Sequence, residues 1–508
     1  MKDHQKFIEH IQKGYTTKGD FIHMGAAMLE GLTFPEAAVK IPLKTLNRHG
    51  LIAGATGTGK TKTLQILAEN LSEKGIPVLM MDIKGDLSGI AMPAKENEKL
   101  TARHKAIGFD FEPMASPVEM MSLSQQPGVR LRATASEFGP VLLSRILDLS
   151  DVQTGILAII FKYCDDNHLP LLDLKDLKKI VLFATDQGKE EFEESYGRMS
   201  KASTGTILRK IVALEQQGAD LFFGEPSFDV LDLVGKTSEG KGYVNIIRLN
   251  DIQEKPKLFS TFMLSLLAEI YTTFPEKGDS DKPELVLFID EAHLIFKEAS
   301  GALMDQLESV IKLIRSKGIG IFFVTQNPTD VPKEILSQLG LKIQHSLRAF
   351  TANDRKAIKL TAENYPISEF YDTKTVLTSL GIGEALISVL DEKGRPTPLA
   401  ATMMRAPGSR MDILSPEELT KIISNSSLAA KYNKNIDRES AYEILEHKIE
   451  RAEKEDAREK AKEEREKVKR TSSRTSGRSR KRQDPIIKVL TSATFIRGVM
   501  SILNKAFK

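Results

Sequence analysis

The chain has 508 residues, of which 41% are hydrophobic and 28% are charged, and its formal net charge is +3. This length and composition predict a globular protein of two to four structural units, and the small net charge gives no indication of its partners. The single cysteine, Cys164, excludes a disulfide framework and a multi-thiolate zinc site. A single cysteine also fits a reducing compartment, so we expect a cytoplasmic protein. Because no uncharged stretch approaches the ~20 residues that a membrane-spanning helix needs, we expect no transmembrane segment.

A phosphate-binding loop is predicted after a small, strand-containing N-terminal cap, residues 1–48. The apolar run Leu51–Ala53 indicates a buried strand, and apolar residues at near-helical spacing from Thr63 to Leu71 indicate a helix. In such a loop backbone N–H groups face the phosphates, a lysine supplies a cation for the β- and γ-phosphates, and a hydroxyl binds Mg²⁺. The octapeptide between strand and helix fits the pattern G-x-x-x-x-G-K-S/T throughout: Gly54, Ala55, Thr56, Gly57, Thr58, Gly59, Lys60 and Thr61. The sequence therefore predicts a nucleoside triphosphate site.

A second buried strand is predicted from Ile76 to Asp82, and it opens the sequence Asp-Ile-Lys-Gly-Asp. Strand ends are where α/β folds place their chemistry. Asp82 can therefore add a catalytic carboxylate to the site, or it can belong to a turn around Gly85. The residues leave both alternatives open.

A helical insertion is predicted across residues 137–239, where apolar residues recur at three-to-four spacing. The flanking residues, 49–136 and 240–410, alternate strands with helices, which indicates a mostly parallel sheet covered on both faces. We therefore predict an α/β fold of the P-loop NTPase class for these two segments. Its strands in the second half are expected at 242–249, 285–290 and 320–326, with 342–348 and 384–390 completing the edge.

The C-terminal part of the chain is predicted to leave the sheet. Residues 411–447 form a helical extension, and residues 448–482 combine a charged helix with a basic linker. Ile449–Lys469 mixes Glu, Lys, Arg and Ala, which favours an exposed helix, whereas Arg470–Arg482 contains no acid and is typical of a disordered linker. The terminal segment, 483–508, is apolar and basic and can form a docking helix.

Hydrolysis of the triphosphate needs metal charge and a group that orients or deprotonates water. Asp290, after the strand that ends at Ile289, either binds Mg²⁺ directly or supports one of its ligands, and Glu291 is placed to polarise the attacking water. The alternative is that the two acids start a helix and interact with its dipole, which does not require two acids at a strand tip. ATP and Mg²⁺ are therefore the predicted cofactors.

Two further polar residues are expected near the site. Gln326 follows the next buried strand, where its amide can hydrogen-bond the γ-phosphate and sense its loss; the alternative is a capping or turn role before Pro328. His293 lies three residues after Asp290, but no second His or Cys at ligand spacing accompanies it, so zinc is not expected. We expect this histidine at the start of a helix that faces the site.

Together these motifs resemble, in order, those of the HerA–FtsK group of hexameric ATPases. The resemblance covers most of residues 25–410, and it is greatest for the bacterial YjgR-type HerA-like proteins, including their basic tail. It implies a RecA/FtsK-like core. The matching segments are the phosphate loop, Asp82–Asp86, Ile289–His293, Arg315–Gly320, Val324–Pro328, Leu336–Gln338 and the pairs Leu347-Arg348 and Asn353-Asp354.

The resemblance implies an ATP-driven ring, expected to be a hexamer, and members of the group often translocate nucleic acid. It also implies that Arg315 lies near the γ-phosphate, where a cation stabilises the transferring phosphoryl group. The N-terminal barrel with which archaeal HerA engages a nuclease has no counterpart of comparable length, so a nuclease partner is not expected. The candidates for an arginine that crosses a subunit boundary stay open; they include Arg348, Arg355, Arg405 and Arg410.

The leading hypothesis is a Mg²⁺-dependent ATPase ring that moves DNA, or another extended polymer, through its pore. The alternative is a nucleotide-switched interaction protein whose basic tail binds nucleic acid or an anionic membrane surface without translocation. Phosphotransfer to a small molecule is disfavoured by the chain length and the order of the motifs. DNA-stimulated hydrolysis separates the first hypothesis from the others.

Overall fold

The computed structural model describes residues 2–252, 255–278, 280–297, 301–434, 436 and 438–472. The chain divides into two compact units, Met1–Leu445 and Glu446–Lys508. The described residues of the first unit form a twelve-stranded sheet. Its strands are β1 Phe21–Leu29, β2 Leu32–Pro42, β3 Gly50–Ala53, β4 Val78–Asp82, β5 Val118–Ser122, β6 Val129–Arg130, β7 Val244–Arg248, β8 Leu285–Ile289, β9 Ile319–Thr325, β10 Leu341–His345, β11 Glu384–Ser388 and β12 Ala400–Met404.

The strand order is β2-β1-β12-β11-β10-β3-β9-β8-β4-β7-β5-β6. Every neighbouring pair from β10 to β6 is parallel, and every pair from β2 to β10 is antiparallel. The predicted α/β fold with a mostly parallel sheet is therefore confirmed. Segments 342–348 and 384–390 are expected from the sequence to supply the outermost strands on this side of the sheet. That expectation is wrong, because β12, β1 and β2 extend the sheet beyond β11.

The N-terminal strands thus extend the sheet that holds the phosphate loop, through antiparallel pairing of β1 with β12. The helices of the described residues are α1 Lys2–Gly14, α2 Lys60–Glu73, α3 Glu98–Ala106, α4 Ala135–Ile146, α5 Asp151–Asp166, α6 Leu174–Phe183, α7 Lys189–Tyr196, α8 Lys201–Glu215, α9 Pro256–Thr273, α10 His293–Lys297, α11 Gly301–Ile314, α12 Lys333–Leu336, α13 Ala352–Glu363, α14 Thr373–Ser379, α15 Pro416–Ser424, α16 Ser427–Tyr432 and α17 Ala441–Ser472. None of them is both long and apolar enough to cross a membrane.

Helices α4 to α8 occupy the chain between β6 and β7, where the sequence predicts a helical insertion. Three of them begin with a capping box, in which the side chain of Thr134, Ser150 or Asp173 accepts a backbone N–H of the first turn and receives a reciprocal contact. Such boxes satisfy N–H groups that a helix leaves unpaired at its start. The exact domain boundaries given above stay predictions.

The strands around β3 are buried on both faces. Because side chains alternate along a strand, Phe322 and Phe323 point to opposite faces of β9. Phe322 packs beside Phe288, with ring centroids 5.1 Å apart, in a core cluster that includes Leu64 of α2. Phe323 packs 5.5 Å from Phe296 of α10. This cover on both faces explains why the parallel strands are continuous apolar runs.

The described residues of the second unit, 446–472, belong to helix α17. Its residues 451–467 are exposed, and the ion pairs Glu450–Lys454 (3.3 Å) and Glu463–Lys467 (3.5 Å) each span one turn. These are features of a solvated helix supported by i,i+4 pairs. The remainder of the basic linker, from 473 to 482, and the terminal segment 483–508 lie outside the described residues.

Candidate nucleotide site

Four neighbouring parallel strands, β3, β9, β8 and β4, bring the predicted site residues to one edge of the sheet. The carboxyl ends of parallel strands meet at the same edge, which is where α/β folds bind ligands. Strand β3 is followed there by the phosphate loop, residues 54–61. The same edge receives Gln326 after β9, Asp290 and Glu291 after β8, and Asp82 as the last residue of β4.

The phosphate loop is fixed to the neighbouring strands and holds its lysine close. The Gly54 N–H donates to the Thr325 carbonyl at 3.3 Å, which ties the loop to β9. Lys60, only 6% exposed, donates from Nζ to the carbonyl oxygens of Gly54 (2.7 Å) and Ala55 (3.2 Å). Burial lowers the pKa of this lysine. The ammonium thus lies within the loop that is expected to surround the phosphates.

His345, at the end of β10, packs against the phosphate loop and α2. The sequence analysis did not single out this histidine. Its Nδ1 donates to the Glu384 carbonyl, and its Nε2 accepts from the Thr63 hydroxyl of α2, both at 2.9 Å. Burial lowers the pKa of His345 to about 4, so the ring is neutral and this tautomer satisfies both nitrogens. A Cβ on Gly54, whose φ is +153°, would lie 2.5 Å from the His345 Cβ, which leaves room only for glycine.

The two acids after β8 lie in a small cluster of charges. Asp290 is 4% exposed and accepts the Glu291 N–H at 2.9 Å. Burial raises the pKa of Asp290 to about 7. The charge of Lys84 lowers this pKa, and the charge of Glu291 raises it further. One carboxylate oxygen of Glu291 forms an ion pair with Lys84, and the other lies 3.2 Å from Nδ1 of His293. Glu291 also has φ +44°, a left-handed conformation that is uncommon for a side chain of this kind and is enriched at functional sites.

Asp82 is committed to a turn. Its Oδ1 accepts the N–H groups of Gly85 (2.7 Å) and Asp86 (3.1 Å), and its Oδ2 accepts that of Leu87 (3.2 Å). Burial raises the pKa of this carboxyl to about 6, although the three donors oppose the shift. Of the two alternatives left open by the sequence, the structure favours the turn, and the turn places Lys84 beside Glu291.

Two polar residues at the end of β9 differ in their surroundings: Thr325 is hydrogen-bonded within a turn, and Gln326 is exposed. The Thr325 hydroxyl donates to Asp330 at 2.9 Å, and the same carboxylate oxygen accepts the Asn327 N–H at 3.0 Å. This capping interaction closes the turn after the strand. Gln326, between them, is exposed at the edge that carries the phosphate loop.

Oxygen donors for a magnesium ion are present at this edge. The hydroxyl of Thr61, in the first turn of α2, and the carboxylate of Asp290 are the oxygen ligands that Mg²⁺ prefers. Within the described ranges no group of three His, Cys, Asp or Glu side chains is arranged to hold a metal by itself. Mg²⁺ is commonly held by one or two protein oxygens together with water and phosphates, so the residues fit this ion.

Arg315 lies at the opposite edge of the sheet from the phosphate loop of its own chain. It begins the 3-10 turn Arg315–Lys317, just before β9, and the seven-residue β9 then runs roughly 20 Å to the loop edge. Burial lowers the pKa of His49, just before β3, to about 4, and the charge of Arg315 contributes to that shift. The implied position near the γ-phosphate is therefore not reached within one chain.

The other arginine candidates differ in whether their side chains are engaged within the chain or exposed. Arg405 is buried, donates to Asn70 at 3.2 Å and lies 4.6 Å from the Phe109 ring centroid. Arg410 donates to both carboxylate oxygens of Glu418, at 3.0 and 2.6 Å. Both side chains therefore contact groups of their own chain. Two other candidates have exposed side chains: Arg348 and Arg355.

With this geometry in place, comparison with known proteins gives the family. Residues 29–506 match the family described as helicase HerA-like C-terminal. The chain belongs to this HerA-like family. The predicted resemblance to the HerA–FtsK group is thereby confirmed.

Curated relatives are similar at about a quarter identity. The DNA double-strand break repair helicase HerA of Sulfolobus acidocaldarius is 25% identical over 367 residues, which cover 69% of this chain and 64% of that protein. The probable helicase MJ1565 of Methanocaldococcus jannaschii is 26% identical over 371 residues, 70% of this chain and 63% of that protein. The chain spans 64–66% of the length of the first three HerA relatives.

Solved structures with the same fold include the bacterial conjugative coupling protein TrwB. An unbound form superposes with a TM-score of 0.51 at 14% identity and covers 80% of this chain and 94% of that chain. A complex of TrwB with the non-hydrolysable ATP analogue ADPNP has a TM-score of 0.51 at 14% identity, over 78% and 99% of the two chains. At this identity the similarity shows a shared fold.

Proposed function

We propose that this HerA-like protein is a Mg²⁺-dependent ATPase that assembles into a ring and moves DNA. The observation that carries the proposal is the convergence of the phosphate loop, the acids Asp290 and Glu291, and Gln326 at one edge of four parallel strands. Membership of the HerA-like family supports the motor role, since several relatives bear the name of DNA repair helicases. The cytoplasmic location argued from the single cysteine stays a prediction.

The binding step uses groups that are already in position. Backbone N–H groups of residues 54–61 receive the phosphates, and Lys60 turns from its own loop carbonyls to the β- and γ-phosphate oxygens. Thr61 and Asp290 would hold Mg²⁺, which neutralises charge on the phosphates when bound. Binding therefore requires little rearrangement of the backbone, because β3, β9 and His345 fix the loop.

The hydrolytic step falls to Glu291. Its carboxylate is buried beside Asp290, and it can accept a proton from a water that attacks the γ-phosphate once its present partners release it. Gln326 is exposed on the adjacent strand end, where its amide can contact the γ-phosphate. Asp82 keeps the turn that carries Lys84, so we assign it a positioning role.

Arg315 is proposed to act on the phosphate loop of a neighbouring subunit. Within its own chain the sheet separates it from the loop by roughly 20 Å, so only a neighbour can bring it to the γ-phosphate. A cation supplied there stabilises the charge of the transferring phosphoryl group. This arrangement makes hydrolysis depend on assembly.

DNA stimulation of hydrolysis tests the proposed motor. We expect double-stranded DNA to raise kcat several-fold in a salt-sensitive manner, because a translocating motor couples turnover to its track. Heparin at matched charge is the control for a simple polyanion effect. Equal stimulation by heparin and DNA, or none by either, would favour a nucleotide-switched interaction protein and contradict the motor.

Mixing of two inactive variants tests the shared site. Arg315→Ala retains Glu291, and Glu291→Gln retains Arg315, so some boundaries in mixed rings contain one intact copy of each group. We expect each variant alone to be nearly inactive, and the mixture to recover measurable ATPase activity. Specific activity of the native chain should also rise with protein concentration as rings form. A monomer with full activity at every concentration in light scattering and turnover assays would contradict the ring.

A further inference from the structure

The ion pair between Lys84 and Glu291 occupies the group that the proposed hydrolysis needs. The Glu291 side chain is 7% exposed and Lys84 is 37% exposed, so the buried carboxylate is reached by a lysine that remains open to solvent. The second carboxylate oxygen lies 3.2 Å from His293. One carboxylate oxygen of Glu291 is thus occupied by Lys84 and is not free to accept a proton from water.

The backbone around Lys84 is anchored, whereas its side chain reaches Glu291 through a flexible chain of methylene groups. The carboxylate of Asp82 accepts three consecutive N–H groups after Lys84, from Gly85 to Leu87. Lysine has four methylene groups and a freely rotating ammonium, which allow it to change partners without moving the backbone. The backbone of Lys84 is therefore fixed, and its side chain can reach more than one anionic group.

The phosphate site lies at the same edge of the sheet as Lys84, because the phosphate loop follows β3 and the turn with Lys84 follows β4, and β3, β9, β8 and β4 are neighbouring parallel strands. Lys84 lowers the pKa of Lys60 by repulsion, after burial as the larger cause, and it interacts with Asp290 and Asp86 as well. A triphosphate brings several negative charges to Lys60, and its γ-phosphate is the group that also faces Glu291 in the proposed mechanism. An ammonium between the two would be attracted from the single charge of Glu291 to the γ-phosphate.

We propose that Lys84 leaves Glu291 for the γ-phosphate when ATP binds, and thereby frees Glu291 to act on water. The inference rests on the proposed function, because it assigns to Lys84 a role at the same site. Lys84 is then a ligand of the γ-phosphate and a reporter of its presence. ADP, which lacks that phosphate, leaves the Lys84–Glu291 pair intact.

Affinities for ATPγS and ADP, measured by titration calorimetry on the full chain, test this exchange. Lys84→Met keeps the length of the side chain and removes its charge. We expect it to weaken ATPγS binding by about 10-fold or more, the effect of losing one charge-assisted contact, and to leave ADP binding within about 2-fold. Lys84→Arg should retain the preference for ATPγS, and the control Lys74→Met, whose lysine pairs with Asp20 at 3.3 Å at the far end of α2, should change neither affinity.

A double substitution tests whether Lys84 must leave Glu291 to bind the γ-phosphate, or is only attracted to the phosphate from where it lies. Glu291→Gln releases Lys84 from its charged partner, so ATPγS should bind more tightly to Glu291→Gln than to the native chain, and Lys84→Met should abolish that gain. An equal loss of ATPγS and ADP binding in Lys84→Met would indicate structural support only, and unchanged binding of both would show that Lys84 does not contact the γ-phosphate. Either result overturns the inference. Normal ATPγS binding by Lys60→Ala would instead reject the nucleotide site itself.

Discussion

Replacement of Lys60 by alanine is expected to abolish ATP binding, or to lower hydrolysis by at least about 100-fold, as the loss of one preorganised donor does in other active sites. The lysine is almost fully buried and its ammonium lies against the carbonyls of Gly54 and Ala55. Alanine removes both this loop contact and the cation for the β- and γ-phosphates. Equilibrium binding of ATPγS and steady-state turnover measure the two effects separately.

A matched control is available at the residue that caps the end of the same helix. Lys74→Ala removes a lysine at the other end of α2, where it pairs with Asp20 on the surface, and should leave both binding and turnover unchanged. Circular dichroism and thermal unfolding of both variants establish that the fold is retained. Normal turnover by Lys60→Ala would contradict the assignment of residues 54–61 to the phosphates.

Replacement of Glu291 by glutamine is expected to preserve ATP binding and to lower kcat by about 100- to 10,000-fold, the range for loss of a general base. Glutamine has nearly the same shape and can adopt the same backbone conformation, but its amide cannot accept the proton of the attacking water. Single-turnover hydrolysis with saturating Mg²⁺ and ATP measures the chemical step directly. The variant should therefore accumulate in the ATP-bound state.

The strand that carries Glu291 supplies the control. Glu284→Gln lies just before β8, at the opposite edge of the sheet, where Glu284 pairs with Lys277 at 3.3 Å. We expect native turnover from this variant, because the substitution removes a partly exposed surface pair. If Glu291→Gln retains native kcat, another group must activate water, and Asp82 would have to leave its turn to do so.

The parallel half of the fold could be predicted because its signals are local. Continuous apolar runs such as 285–290 and 320–326 are required where both faces of a strand are covered, and β8 and β9 follow them closely. Pairing partners are not local. The hairpin of β1 and β2 lies more than three hundred residues before β11 and β12, with which it shares the antiparallel half of the sheet. The prediction therefore ended the sheet at the wrong segments.

For the candidate site, the phosphate loop and the acids after β8 could be placed at one sheet edge from their motifs. The motifs do not single out His345, because its contact with the loop depends on β10 lying beside β3 in the folded sheet. It does stand at the end of a buried strand, and the rule applied to Asp290 could have identified it. The contact between Lys84 and Glu291 joins residues more than two hundred positions apart and has no signature in either motif alone.

In the proposed ring, the position of Arg315 at one edge of the sheet and of the phosphate loop at the other would determine how subunits can associate productively. If each arginine serves the next loop, two different surfaces meet at every contact, so the association is heterologous and all subunits point the same way around the assembly. If the rotation that relates neighbouring subunits closes a ring, every subunit has a complete nucleotide site. An open arc leaves one loop at its end without an arginine, and a dimer of this kind has one complete site. Ring closure itself would thus raise the turnover per subunit.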